Sequence, residues 1–108
     1  MSLSRPTAKE LDALIKEVTV DAYNDSEQLT AFFTAFEEEA RFPCAGTVIG
    51  EDVEVLSLTT DEDRLELVAT CGRGGRRYKV ALHEVELRSG PETLQLFAAY
   101  KRWLRPRS

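Results

Sequence analysis

The chain has 108 residues, of which 43% are hydrophobic and 31% are charged, and its formal net charge is −5. This length fits one domain with its own core, and no apolar run reaches the roughly 18 residues that a membrane span needs. The first residues show no secretory signal, so we expect a single cytoplasmic domain over residues 1–108, with a flexible start at 1–7. In that compartment Cys44 and Cys71 are expected to be reduced thiols.

The acidic residues are concentrated in the first part of the sequence. Residues 1–63 contain 15 Asp and Glu against four Lys and Arg, whereas residues 64–108 contain ten basic and four acidic residues. The acids also occur in short groups, at 21–27, 37–39, 51–54 and 61–63. Such groups are either solvated separately or held together by a bound cation, and the function depends on which interpretation holds.

Two helices are predicted before residue 45. Thr7 and Glu10 have the spacing of a capping box, and apolar residues follow at the helical positions 11, 14, 15 and 18. Asn24 or Asp25 is expected to cap the second helix. Its apolar stripe consists of Leu29, Phe32, Phe33, Phe36 and Ala40. Three glutamates end this helix, and the spacing predicts a favourable pair between Glu37 and Arg41.

Residues 45–88 form the predicted β-rich part of the chain. Apolar residues alternate with polar ones over 53–58 and 65–70, a further strand is expected over 76–82, and the segment 72–75 is a glycine-rich hairpin connection. The segment 59–63 is predicted to be a polar loop. Ser89 and Glu92 have capping-box spacing, with Pro91 in the first turn of a C-terminal helix over 89–105. The predicted fold is therefore α+β, with two N-terminal helices, a small antiparallel SH3-like sheet or barrel, and a C-terminal helix.

The sequence does not predict an enzyme. It has no nucleophile elbow, no P-loop and no dinucleotide fingerprint. The glycine-rich segment 72–75 joins two predicted strands, whereas a phosphate loop leads into a helix. His83 is the one histidine, and no nucleophile stands beside it in sequence. We therefore expect His83 to have a structural or surface role.

Neither a nucleic acid nor a membrane is an expected partner. Basic residues cluster at 73–79 and 102–107, and phosphate binding needs positive patches of this kind. However, the net charge of −5 and the acidic first half would repel a polyanion. We expect the basic residues to balance the acidic half instead.

The acidic groups are compatible with calcium binding. Ca²⁺ takes six to eight oxygen ligands, largely from carboxylates and carbonyls. The group at 21–27 flanks a predicted turn, and the group at 61–63 occupies a predicted loop. Such ligands can converge at either place. No EF-hand is present, because its Asp-rich spacing and its closing Glu are both missing. Exposed carboxylates more often serve solubility, so the residues alone leave both interpretations open.

The order of several short motifs resembles a known family. In chain order these motifs are Val18-Thr19-Val20-Asp21-Ala22-Tyr23, an acidic turn, an aromatic helix ending in acids, Phe42-Pro43, Gly50-Glu51-Asp52-Val53-Glu54-Val55, an acidic loop, Tyr78-Lys79-Val80-Ala81-Leu82 and a Trp-containing helix. Over about residues 8–104 the chain is similar to the small non-EF-hand calcium-binding proteins typified by cyanobacterial CcbP. Individually the motifs are short, and their order carries the resemblance.

The resemblance implies a Ca²⁺ buffer or sensor whose metal ligands are carboxylates. By position it implies a ligand set made up of Asp21, Glu37, Glu38, Asp61, Glu62 and Asp63. The alternative is a non-enzymatic SH3-like module that binds a protein partner, in which the acids only solubilise the chain.

Overall fold

The computed structural model describes residues 6–104, which form three helices and one five-stranded sheet. The helices are α1 (Ala8–Val18), α2 (Asp25–Glu39) and α3 (Pro91–Leu104). The strands are β1 (Cys44–Val48), β2 (Glu51–Asp61), β3 (Glu66–Arg73), β4 (Arg76–Ala81) and β5 (Val85–Arg88), with a 3-10 turn at Leu82–Glu84 before β5. All neighbouring strands are antiparallel, in the order β4-β3-β2-β1-β5. The predicted α+β architecture is confirmed, while the SH3-like character of the sheet stays a prediction.

Local sequence signals mark the starts of α1 and α3. The predicted C-terminal helix over 89–105 is observed from Pro91, so this proline occupies the first helical position, where its missing N–H costs nothing. Residue 105 and most of the predicted flexible start lie outside the described residues. Thr7 is the N-cap of α1: its hydroxyl accepts from the Glu10 amide at 3.1 Å, and the Glu10 carboxylate accepts from the Thr7 amide at 2.9 Å. This is the predicted capping box.

Helix α2 supplies one wall of the core through its aromatic stripe. Leu29, Phe32 and Phe36 are fully buried, and both phenyl rings pack against Tyr100 of α3, with ring centroids 5.6 and 5.8 Å apart. The Tyr100 hydroxyl accepts a 2.6 Å hydrogen bond from the Leu67 amide, which ties α3 to β3. Burial raises the pKa of this phenol. Trp103 donates to the Gln28 side chain at 2.8 Å, which ties α3 to α2.

Helix α1 is less completely packed. Its apolar residues Leu11, Leu14, Ile15 and Val18 are partly buried against the core, but no residue of this helix is fully buried. An ion pair from Arg102 Nε to Asp12 Oδ1, 2.7 Å long, joins it to α3. The guanidinium hydrogen bond lowers the pKa of Asp12. The apolar stripe of α1 therefore remains partly accessible along one side.

Strand β2 is longer than its alternating pattern predicts. A bulge between Val55 and Ser57 shifts its register against β3. Val53 and Val55 are buried before the bulge and Leu58 after it, so the inward face moves by one position. The strand continues to Asp61, and the prediction of a loop over 59–63 is therefore wrong for its first three residues. Only the following turn, residues 62–65, connects β2 to β3.

The two cysteines are free thiols, as predicted. Cys44 on β1 is paired with Val55 of β2, and Val55 is paired in turn with Cys71 of β3. Two strand spacings, about 9.5 Å in total, separate the cysteines, whereas a disulfide needs α-carbons within about 7 Å. Burial raises the pKa of both thiols.

Ion pairs connect the acidic part of the sequence to the basic part. Besides Asp12 and Arg102, they join Glu51 to Arg73 and Asp52 to Arg88. In each pair the acid lies before residue 64 and the base after it. These contacts support the prediction that the basic residues balance the acidic half. Within residues 6–104 there is no helix long and apolar enough to cross a membrane.

Candidate metal site

The first turn of α2 is built around hydrogen bonds to its free backbone amides. Asn24 is the N-cap, and its side-chain oxygen accepts from the Glu27 amide at 2.9 Å. Glu27 reaches back and accepts from the Tyr23 amide at 2.8 Å. The start of a helix exposes four amides without intrahelical partners, and Asn24 satisfies that of Glu27, while Glu27 binds the amide of Tyr23, which precedes the N-cap. The predicted cap was Asn24 or Asp25, and the structure has Asn24.

The turn between β2 and β3 is also organised by a carboxylate. Asp61 Oδ1 accepts from the amides of Asp63 and Arg64 at 3.1 and 3.2 Å. Leu65 closes the turn with a φ of +53°, a conformation that L-residues rarely adopt. Asp61 is half-buried, whereas Glu62 and Asp63 are exposed. The turn therefore directs two carboxylates into solvent while the third holds its backbone in shape.

A side-chain contact joins these two acidic segments. The Ser26 hydroxyl, in the first turn of α2, donates to Glu62 Oε1 at 2.7 Å, across 36 positions of sequence. Asp21 belongs to the same end of the helix, because it lines a groove together with Ser26 and Glu27. We call the acids at this end of α2 the start cluster: Asp21, Asp25, Glu27, Asp61, Glu62 and Asp63.

The negative charge of the start cluster is larger than the positive partial charge of the helix N-terminus beside it. A helix N-terminus carries the equivalent of about +0.5 charge, and the cluster carries six carboxylates. Arg64 and Lys79 line the cleft beside the turn and neutralise part of this excess. Even with both counted, the surroundings of the Ser26–Glu62 contact are negative. A cation is electrostatically favoured there despite the positive end of the helix.

Glu37 and Glu38 lie at the opposite end of α2. With Glu39 they form what we call the end cluster, and all three are exposed. At 1.5 Å per residue, Glu37 and Glu38 lie about 16–18 Å along the helix axis from Ser26. Ca²⁺ holds its ligands at about 2.3–2.6 Å, so the six ligand residues implied by the resemblance cannot share one ion. The structure thus separates Glu37 and Glu38 from the other four residues, which belong to segments near the start of α2.

The end cluster differs from the start cluster in the hydrogen bonds and ion pairs that its carboxylates make. The predicted helical pair between Glu37 and Arg41 is wrong, because α2 ends at Glu39 and Ala40 is already extended. There is no basic residue in the last turn of the helix. Among residues 6–104, the carboxylates of Glu37, Glu38 and Glu39 make no hydrogen bond or ion pair, although the Thr93 hydroxyl donates to the Glu39 backbone carbonyl at 3.4 Å.

Neither cluster is a preformed cage. In the described part of the chain, no three His, Cys, Asp or Glu side chains are already arranged to hold a metal ion. An ion would therefore have to draw carboxylates together from the exposed turn and helix ends. Asp63 is the most free to move of the acids in the turn, because Asp61 is held by backbone amides and Glu62 accepts from the Ser26 hydroxyl.

The sequence did not reveal which residue connects the two acidic segments of the start cluster. Ser26 was assigned only a role near the helix N-terminus, yet its hydroxyl is the contact to the β2–β3 turn. No local pattern signals a bond across 36 positions. His83, expected to be structural or exposed, is partly buried, and its Nδ1 is buried without a hydrogen-bond partner among residues 6–104.

Two solved structures share this fold. The crystal structure of Anabaena CcbP superposes with a TM-score of 0.74 at 21% identity, over 95% of this chain and 95% of that one. A structure described as a calcium binding protein in the calcium-binding form superposes with a TM-score of 0.75 at 20% identity, again over 95% of both chains. No protein-family model matches the sequence, and no curated protein matches it significantly. The chain therefore has the fold of the small calcium-binding proteins typified by CcbP.

Proposed function

We propose that this protein binds Ca²⁺ as a buffer or sensor, through clustered carboxylates and without an EF-hand or an enzymatic activity. The observation that carries the proposal is the Ser26–Glu62 hydrogen bond, which holds the β2–β3 turn against the first turn of α2. Calcium would draw oxygen ligands together from the segments on either side of this contact. The fold shared with Anabaena CcbP and with a protein described as a calcium binding protein supports the same function.

The start cluster is the main site in this proposal. Glu62 and Asp63 supply exposed carboxylates, and Asp61 retains Oδ2 for a ligand while Oδ1 holds the turn. Asp21 lines a groove together with Ser26. The Ser26 hydroxyl adds a neutral oxygen. Together with backbone carbonyls and water, these groups supply the six to eight oxygens that Ca²⁺ needs.

Glu37 and Glu38 form a second, weaker site. Their carboxylates lie at the negative end of the helix dipole, where a cation is favoured and further negative charge is not. They come from one segment only, so they offer fewer ligands than the start cluster. Binding there lowers the repulsion between neighbouring glutamates without connecting separate parts of the fold.

Calorimetric titration of the chelator-treated protein with CaCl₂ tests the proposal. We expect heat of binding and a rise in melting temperature, because a ligand that binds only the folded state stabilises it. Absence of both up to millimolar calcium would overturn it. MgCl₂ serves as the control, since Mg²⁺ demands tighter octahedral geometry and loses its water reluctantly.

A second candidate is a protein-interaction module of the SH3-like type. The observation in its favour is strand β4, which lies at the edge of the sheet and exposes Arg76, Arg77, Tyr78 and Lys79. An unpaired edge presents backbone donors and acceptors to a partner strand. A pull-down whose partners persist in excess chelator, and are lost when Tyr78 is changed to Ala, would favour this candidate over calcium binding.

A further inference from the structure

A groove runs between the three helices on the face opposite the sheet contacts. Its volume is about 560 Å³. Its apolar floor is formed by Leu14 and Val18 of α1, Ala31 and Ala35 of α2, and Leu96 of α3. Helix α1 leaves this floor open, because its apolar stripe contains no fully buried residue. We call this feature the helical groove.

The rim of the helical groove is acidic on every helix. Glu17 belongs to α1, Glu38 and Glu39 to α2, and Glu92 to α3. All four glutamates are exposed, and among the described residues that line the groove there is no Lys, Arg or His. This contrasts with the cleft at the β2–β3 turn, which includes Arg64 and Lys79. The charge of the helical groove is therefore uncompensated within its own lining.

Exposed apolar residues extend the groove at one end. Val18 and Ala31 also line a neighbouring depression formed with Val20, Asp21, Tyr23 and Glu27. Val20 is 74% exposed and Tyr23 is 91% exposed, the largest apolar exposures on the helical side of the molecule. Along α2 the combined surface spans Ser26 to Glu39, about 20 Å. That length accommodates a helix of about 13 residues.

From this floor, rim and length we infer that the helical groove is a docking site for a basic amphipathic helix of a partner protein. Apolar side chains of the partner, spaced at i, i+3 or i+4 and i+7, would pack on the floor between α1 and α2. Its Lys and Arg side chains would face Glu17, Glu38, Glu39 and Glu92. Charge complementarity favours a basic helix over the alternatives. An acidic helix would place like charges against the four glutamates, and a neutral helix would place uncharged surface against them. The inference does not depend on calcium binding.

A fluorescent peptide tests the inference directly. The probe is a 14-residue peptide amide of Leu and Lys, with Leu at helical i, i+3, i+4 and i+7 spacing, titrated with the protein in 150 mM salt and EGTA. The control probe has the same composition in a scrambled order, which retains the charge and loses the apolar face. We expect the amphipathic probe to bind about tenfold more tightly, a difference of about 1.4 kcal/mol. Equal binding of the two probes would mean unspecific attraction and would overturn the inference.

Protein variants locate the binding surface. Glu17→Lys with Glu38→Lys reverses the rim on two helices and should weaken binding about tenfold. The matched control, Glu54→Lys with Glu86→Lys, changes the net charge equally at exposed positions of the sheet and should change affinity less than about twofold. Ala35→Trp fills the floor without changing charge and should also weaken binding, with circular dichroism and thermal melting confirming the fold. An equal loss in the rim and sheet variants, or full binding by Ala35→Trp, would contradict the assigned surface.

Discussion

At the start of α2, acidic side chains accept hydrogen bonds from backbone amides and from a serine hydroxyl. At its end, the carboxylates of Glu37, Glu38 and Glu39 make no such contact among the described residues. The helix dipole reinforces the difference, because it favours negative charge at the first turn and disfavours it at the last. Carboxylates at the start thus contribute to the fold, whereas those at the end lie where the helix dipole disfavours negative charge. Counting acids alone would treat the two ends as equivalent.

The largest stability effect is expected at the cap of the helix start. Asn24→Ala removes the acceptor for the Glu27 amide and should lower the free energy of unfolding by about 1 kcal/mol, or roughly 5 °C in melting temperature. Thr34→Ala, at an exposed position in the middle of the same helix, is the control. Urea unfolding in chelator measures both. If the two variants are equally stable, the start of α2 is not held as described.

A smaller loss is expected from the contact between α2 and the β2–β3 turn. Glu62→Ala removes the acceptor of the Ser26 hydroxyl, and its exposed location limits the expected loss to about 0.5 kcal/mol. Asp63→Ala, the neighbouring exposed carboxylate, should stay within about 0.2 kcal/mol of the parent protein. Measured without calcium, a larger effect at Asp63 than at Glu62 would speak against the Ser26 contact as the link between the two segments.

Neutralising one charge at each end of α2 should give effects of opposite sign. Glu38→Gln removes a negative charge from the last turn and should stabilise the chelator-treated protein by about 0.3 kcal/mol, whereas Asp25→Asn in the first turn should destabilise it by a similar amount. Thermal melting at low ionic strength checks the signs, and added salt should reduce both changes. Two shifts of the same sign would remove the distinction between the ends.

The smallest effect concerns an acid that does have a basic partner. The hydrogen bond from Arg102 lowers the pKa of Asp12, so Arg102→Gln should move that pKa back up toward 3.8, the ordinary value. Because the folded pKa is depressed, the stability that this pair contributes is present above the unfolded value and is lost as the pH falls through the folded value. Carboxyl NMR titration of both proteins follows the shift. An unchanged Asp12 pKa in the variant would show that the pair does not form in solution.

Much of the fold could be predicted because its signals are local. The phenylalanine stripe of α2, the capping box at Thr7 and the proline that begins α3 each depend on spacings of a few residues. The extent of β2 could not be predicted, because a bulge between Val55 and Ser57 breaks its alternation and β3 determines where pairing ends. The sequence also suggested a helical pair between Glu37 and Arg41, which the earlier end of α2 removes.

The division of the acidic residues into two clusters could not be predicted either, because it depends on how distant segments pack. Asp61, Glu62 and Asp63 are nearer in sequence to Glu38 than to Asp21, yet the antiparallel sheet returns their turn to the start of α2. The length of α2 then keeps Glu37 and Glu38 away from them. The helical groove was also not predicted, because its floor and rim come from three helices whose packing no single segment encodes.

Calcium titration of two neutralised variants beside the parent protein tests the central claim most directly. Asp21→Asn, Glu62→Gln and Asp63→Asn together remove charge from the start cluster, and Glu37→Gln with Glu38→Gln does so at the end of the helix. By calorimetry, we expect the first variant to lose the main binding event and the second to retain it with at most a weaker event missing. If instead the start-cluster variant binds calcium like the parent protein, or the end-cluster variant loses the main event, the assignment of the site is wrong.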